Sequence, residues 1–169
     1  MKSKVQTLRE HPFFSDFPES YLEKIAEWTS LTTFNPGQYI FREGEDADQF
    51  FLIQKGIVSL EVYVSKVGPV TVETIGAGDV LGWSWLYTPH HWHFDARAVE
   101  LTHALVLNGK ILRNQIEQDH ELGFQVMKRI SRIVENRLQA TRLKLMEVYN
   151  IYKEPGEATE ERPDWQKLI

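Results

Sequence analysis

The chain has 169 residues, 42% of them hydrophobic and 12% aromatic, which suits one domain with an appended element and excludes a disordered chain. It has no cysteine, which excludes disulfides, thiolate metal sites and a cysteine nucleophile and fits a reducing cytoplasm. The net charge of −5, the lack of a long apolar run and the polar start Met1-Lys2-Ser3-Lys4 argue against a nucleic-acid footprint, a membrane span and a secretory leader.

Residues 1–30 read as an N-terminal helical segment. Leu22, Ile25, Ala26 and Trp28 or Thr29 recur at helical spacing, with Glu19, Glu23, Lys24 and Glu27 on the polar side. Pro18 suits a first helical turn. Before it, His11-Pro12-Phe13-Phe14 and Phe17 form an aromatic elbow expected to pack against a sheet.

Residues 31–107 carry the β signal, which is clear from residue 38 onward. Val58, Leu60, Val62 and Val64 alternate with Ser59, Glu61, Tyr63 and Ser65, as in a strand with one buried face. Gly68-Pro69 is expected to turn the chain into the alternating run Val70 to Glu73. Further strands are expected near Tyr39–Phe41, Phe50–Gln54, Asp79–Leu81, Asp95–Val99 and His103–Leu107. Short strands at this spacing suggest a sandwich or jelly roll.

Residues 108–152 become helical, with a short helix near Gly109–Gln118 and a long one from about Glu121. In the long helix Met127, Ser131, Val134, Leu138, Thr141, Leu145, Val148 and Tyr152 alternate in steps of 4 and 3, a heptad seam. Ile130 and Ile133 lie off that seam, free to dock onto the β domain. So long an apolar seam predicts a homodimer through this helix. The tail, 153–169, is acidic, contains Pro155-Gly156 and reads as a loosely held extension.

An ordered set of positions carries more information than any one glycine. It comprises Gly37, Gly44-Glu45, Phe50, Leu52-Ile53, Gly56, Val58, Gly78-Asp79, Leu81-Gly82 and Ala96-Arg97-Ala98. Over roughly residues 10–152 the chain resembles the cyclic-nucleotide-binding domain, and more narrowly the sensor half of the catabolite-activator and fumarate-nitrate-regulator class of bacterial proteins. The fold this implies is α+β, mainly β. It is a double-stranded β-helix jelly roll flanked by an N-terminal helix and by a C-terminal short helix plus long dimerisation helix.

The resemblance also implies a phosphate-binding cassette after Gly82. A short helix there turns its amides to the cyclic phosphate, a glutamate follows the glycine, and an arginine about ten residues on pairs with the phosphate. Here Trp83 stands at the glutamate position. Trp92 falls near the arginine position and His93 near the small residue after it, while Arg97 matches a strand-end arginine and not the phosphate partner. Both charged contacts are thus replaced, so binding of cAMP or cGMP in the usual way is not expected.

Gly82, Trp83, Ser84, Trp85, Leu86, Trp92, His93 and Arg97 remain the candidate ligand-binding residues. Trp83, Trp85, Tyr87 and Trp92, with three histidines, suggest an aromatic pocket mouth. One reading is a pocket retuned for a flatter or differently charged small molecule or nucleotide in the barrel. The other is that the tryptophans fill the old cavity, leaving a ligand-free dimeric scaffold for a partner protein.

His91 and His93, two apart, would face one way in an extended stretch and are the candidate metal ligands. The jelly-roll metalloenzymes called cupins place such a pair a set distance after a glycine and before a glutamate, and the spacings to Gly82 and Glu100 do not match it. The chain shows no Gly-x-Ser-x-Gly, P-loop or dinucleotide motif, so no enzyme is expected. Only 17 residues follow Tyr152, where a helix-turn-helix needs on the order of 60, so direct DNA binding is not expected either. The reading is a cytoplasmic sensor or signalling domain.

Overall fold

The run Phe50-Phe51-Leu52-Ile53 is continuously apolar, and a strand of that kind needs cover on both faces. The computed structural model, which describes residues 3–148, supplies both covers. The run lies in β3 (Gln49–Lys55). Its sheet also holds β1 (Thr29–Phe34), β6 (Val80–Leu81) and β8 (Thr102–Asn108), in the order β1-β8-β3-β6. A second sheet holds β2 (Tyr39–Phe41), β4 (Val58–Val64), β5 (Gly68–Ile75) and β7 (Asp95–Ala98), in the order β2-β7-β4-β5. The named strands pair antiparallel in both sheets.

Alternation along the strands sorts the side chains into two cores. Phe51, Ile53, Ala104 and Val106 of the first sheet join Phe41, Val58, Leu60, Ala96 and Ala98 of the second in one buried cluster. Phe50, Leu52, Leu105 and Leu107 are equally buried but point to the other face of the first sheet. Helices lie on that side: α3 (Gly109–Gln118) packs on β3 and β8, α2 (Glu19–Glu27) on β1 and α1 (Lys4–Glu10) on α2, with α4 (His120–Val148) following α3. Leu122, Val126 and Ile130 recur every four residues on α4 and are fully buried. Asp119 ends α3 with its backbone N–H donating to Gln115 O at 2.9 Å, and its carboxylate accepts Leu122 N–H at 3.0 Å, so one residue closes one helix and caps the next. The pKa of that carboxyl lies below the ordinary value, chiefly because the Leu122 amide stabilises its charge.

The chain divides into two units, Met1–Ile130 and Ser131–Ile169. The first contains both sheets; the described part of the second is the rest of α4. Tyr152 of the seam and the tail lie outside the described residues.

Two local expectations are corrected. The expected strands begin near Tyr39, but Thr29–Phe34 already form β1; its exposed Leu31 and its buried Thr29 and Phe34 break the alternation that would mark a strand. It is an edge strand held by β8 along Thr29 to Phe34. The turn expected at Gly68-Pro69 is instead at residues 65–67, where Lys66 takes φ 72° and Val67 N–H donates to Val64 O at 3.0 Å. Gly68 and Pro69 pair with Val64 and Tyr63, and β5 is an edge strand, where a proline does not break the ladder.

Candidate functional site

Gly82 follows β6 and has φ +78°, a conformation that favours glycine. A Cβ there would lie 2.8 Å from the six-membered ring of Trp92, so the indole sits directly on the glycine backbone. Trp92 is 4% exposed and belongs to the core between the sheets. Its ring stacks on Phe41 at 4.0 Å between centroids and 15° between planes, with Phe51 tilted beside it at 6.4 Å. The backbone fixes this placement from both sides. Trp92 N–H donates to Glu45 O at 3.0 Å, Gly44 N–H donates to Trp92 O at 2.9 Å, and Ala47 N–H donates to His90 O at 2.7 Å.

Trp85 goes to the opposite side of the first sheet. It lies in a short 3-10 turn, Ser84–Leu86, and is fully buried. Its ring is 5.7 Å from Phe50, and Gly109 at the start of α3 approaches so closely that a Cβ would meet Trp85 Cβ at 2.8 Å. Arg113 of α3 donates to Trp85 O at 2.6 Å. The expected single pocket mouth containing Trp83, Trp85, Tyr87 and Trp92 is therefore corrected. Phe50 and Phe51 are neighbours on one strand with opposite directions, and the two buried tryptophans pack on opposite sides of it. Trp83, Ser84 and Leu86 are half-buried around the turn, and Tyr87 is exposed.

The histidines do not converge. His91 Nδ1 lies 3.4 Å from Asp46 Oδ1, and the same residues form an isolated β-bridge. His93 is exposed, and His90 takes φ 59°. Among the described residues no group of three or more His, Cys, Asp or Glu is arranged to hold a metal ion. His91 and His93 flank Trp92 and both are exposed, so the pair is a pair in sequence more than in chemistry.

Arg97 is part of a polar cluster on the face of the second sheet away from the core. Its guanidinium makes three contacts to Glu61: Nε to both carboxylate oxygens at 3.1 and 3.2 Å, and Nη2 to Oε1 at 2.6 Å. The Ser59 hydroxyl donates to the same Oε1 at 2.7 Å. The Glu61 side chain is 1% exposed. Burial pushes its pKa up, but Arg97 and Ser59 outweigh it, and the carboxyl titrates below its ordinary value. The same pairing raises Arg97. Next to it, the Arg42 guanidinium lies 3.6 Å from the Tyr39 ring centroid and contacts Asp95 at 3.2 Å. Sequence reading missed Glu61 and Ser59, which were read only as the polar side of a strand. The available signal was a glutamate in mid-strand two residues from a serine.

The seam residues are displayed rather than packed. Val134, Leu138, Thr141 and Leu145 in the second unit are exposed, as is Met127 in the first. Val148 is the last described helical residue.

Comparison with known proteins bears on this arrangement. The cyclic nucleotide-binding domain matches residues 31–119. A putative cyclic nucleotide-binding protein from Geobacter metallireducens superposes with a TM-score of 0.72 at 32% identity, covering 82% of this chain and 99% of that one. The chain belongs to the cyclic nucleotide-binding domain family. The anaerobic regulatory protein of Bacillus subtilis is 30% identical over 122 residues, 71% of this chain and 51% of that protein, so the chain spans about half the length of this relative. The regulatory subunit of a cAMP-independent protein kinase A from Trypanosoma brucei superposes with a TM-score of 0.63 at 25% identity, covering 80% of this chain and 50% of that one. The likeness to the Bacillus regulator supports the narrower resemblance to the catabolite-activator class.

Proposed function

We propose that this chain is a dimeric regulatory domain of the cyclic-nucleotide-binding type whose own Trp92 takes the space that the family gives to the ligand phosphate. It therefore does not take cAMP or cGMP in the usual way. The observation that carries this reading is the Trp92 indole seated on Gly82 and stacked on Phe41. Trp92 falls near the phosphate-pairing arginine position. At that position an apolar ring offers neither a charge nor a donor to a phosphate, and the space it fills is closed to one. Trp83 likewise offers no carboxylate at the glutamate position. The ion-paired Arg97 is committed to Glu61 on the outer face, so it is not a substitute phosphate partner.

Of the two readings of the aromatics, the geometry favours the filled barrel over the retuned pocket. Trp92 is tied by backbone bonds to the turn at residues 44–47, so moving it means breaking a ladder and emptying a core position. The exposed seam of α4 supports the homodimer, because apolar residues on a heptad spacing find their cover in a second copy. A cytoplasmic setting and a partner protein that reads the dimer belong to the same reading. No helix of the described residues is long and apolar enough to cross a membrane.

The test is a thermal-shift titration of the purified protein with cAMP and cGMP up to about 1 mM, where binding stronger than about −4 kcal/mol is detectable. The expected result is no saturable change in Tm with either nucleotide. A saturable rise with one of them would overturn the reading, since a ligand that binds only the folded state must raise Tm by mass action.

A further inference from the structure

His11 stands at the joint between α1 and the Pro12–Phe14 turn and is 4% exposed. Its backbone N–H donates to Leu8 O at 3.1 Å and closes α1; its carbonyl accepts Phe14 N–H at 2.9 Å. Its ring Nδ1 accepts Phe13 N–H at 3.3 Å. A ring nitrogen that accepts carries no proton, so the neutral ring holds its proton on Nε2. Nε2 is buried and leans toward the carbonyls of Ile53 and Asp79 without a well-formed hydrogen bond to either. A cavity of about 200 Å³ adjoins the residue, walled by Thr7, Glu10, Pro12, Ile53, Gln54 and Gly78. The joint therefore meets the roll at His11 with open space at its side, next to the Phe13–Phe50 contact.

We propose that His11 is a pH-operated latch, which holds the N-terminal elbow on the roll when neutral and releases it when protonated. A second proton has to go on Nδ1. There it meets the Phe13 amide hydrogen head on, so the bond that caps the turn becomes a repulsion. The charged ring also sits in a buried site where the Ile53 and Asp79 carbonyls lie near Nε2 and no carboxylate is hydrogen-bonded to it. The charged groups that face it are Asp79, in the turn before β6, and Glu10, beside it on α1 and on the cavity wall. Asp79 Oδ2 is already engaged by Gly76 N–H at 3.0 Å. From β3 it meets the neutral Ile53 and Gln54. Burial lowers the ring's pKa below 6.5, and the Ile53 and Asp79 carbonyls and the Asp79 charge offset this only in part.

Release has somewhere to go. Phe13 packs on Phe14 at 4.8 Å and on Phe50 at 5.2 Å, and Phe50 packs on Trp85 at 5.7 Å. The latch thus adjoins the aromatic wall that carries the 3-10 turn after Gly82. The inference does not depend on whether the barrel takes a ligand.

The sign is fixed by the lowered pKa. Above pH 6.5 the ring is neutral in both states and the latch is fully closed. Below 6.5 the released state binds the proton better, so opening grows by up to about tenfold per pH unit until the closed-state pKa is reached. The experiment is amide hydrogen exchange of Phe13 and Phe14 by NMR across pH 7.5 to 5, corrected for intrinsic exchange, on wild type and His11→Asn. Asparagine keeps an acceptor oxygen near the Nδ1 position and caps helices well, but does not titrate. The expected result is pH-dependent opening in wild type and a flat profile in the variant. The same slope in His11→Asn, or a flat wild-type profile, would overturn the latch. The His11 ring resonances in wild type decide the matter even where the variant fails to fold: titration at or above 6.5 also overturns it.

Discussion

The barrel interior and the second unit treat apolar surface in opposite ways. Around Gly82 the chain supplies its own cover: Trp92 lies on the glycine, Phe41 lies on Trp92, and both sheets close over them. On α4 beyond Ile130 the apolar residues have no such cover, and Leu138 is 59% exposed. One region fills its interior with its own side chains; the other leaves its apolar residues exposed. On the proposed reading, the filled barrel takes no cyclic nucleotide in the usual way and the exposed seam takes a second copy.

The sharpest way to break the contrast is to empty the barrel. Trp92→Ala removes a buried indole and should destabilise the protein by about 3–5 kcal/mol, lowering Tm by on the order of 10 °C. Thermal or urea unfolding measures this. A loss under about 1 kcal/mol would mean the ring is not core. Next in size is Arg97→Ala. Removing one partner of a buried ion pair costs about 3–5 kcal/mol, and the partial exposure of Arg97 reduces the expected loss to about 2 kcal/mol.

That ion pair also has a pH signature. The Glu61 carboxyl titrates below its ordinary value of 4.5, so its contribution is present above about that pH and is lost as pH falls through the folded-state value. Glu61→Gln should flatten the acid limb of the stability profile below about pH 4.5 relative to wild type. An unchanged limb would assign acid unfolding to other carboxylates.

On the output side, Leu138→Glu places a charge in the seam. Its expected effect is a loss of dimer, with an apparent Kd raised by more than about tenfold, read by sedimentation equilibrium. A wild-type protein that is monomeric at every concentration would remove the comparison itself.

How much of this was legible in the sequence follows the same division. The long helix was readable because its apolar residues recur at helical spacing, and α3 was placed at Gly109–Gln118 as expected from the residues. Period two was a partial guide to the strands: in β4 Val58 and Leu60 are buried as expected, but so are Ser59 and Glu61, and Val64 is exposed. Trp85 and Trp92 were not, because the segment between β6 and β7 has no period, and adjacent Phe50 and Phe51 give no hint which tryptophan each will meet. The Glu61–Arg97 pair spans 36 residues and depends on the register of β4 against β7, which pairs Ser59 with Arg97. The role of His11 rests on burial and on one amide, neither of which a sequence states.

The most direct measurement is the indole N–H resonance of Trp92 in a ¹⁵N-labelled sample, assigned with Trp92→Phe and followed with and without saturating cAMP or cGMP. The account predicts a resonance that does not move and a proton protected from exchange in both conditions, because the ring is core and the barrel is full. A shift that saturates with nucleotide, or loss of protection on its addition, would show Trp92 leaving the barrel for a ligand and would contradict the account.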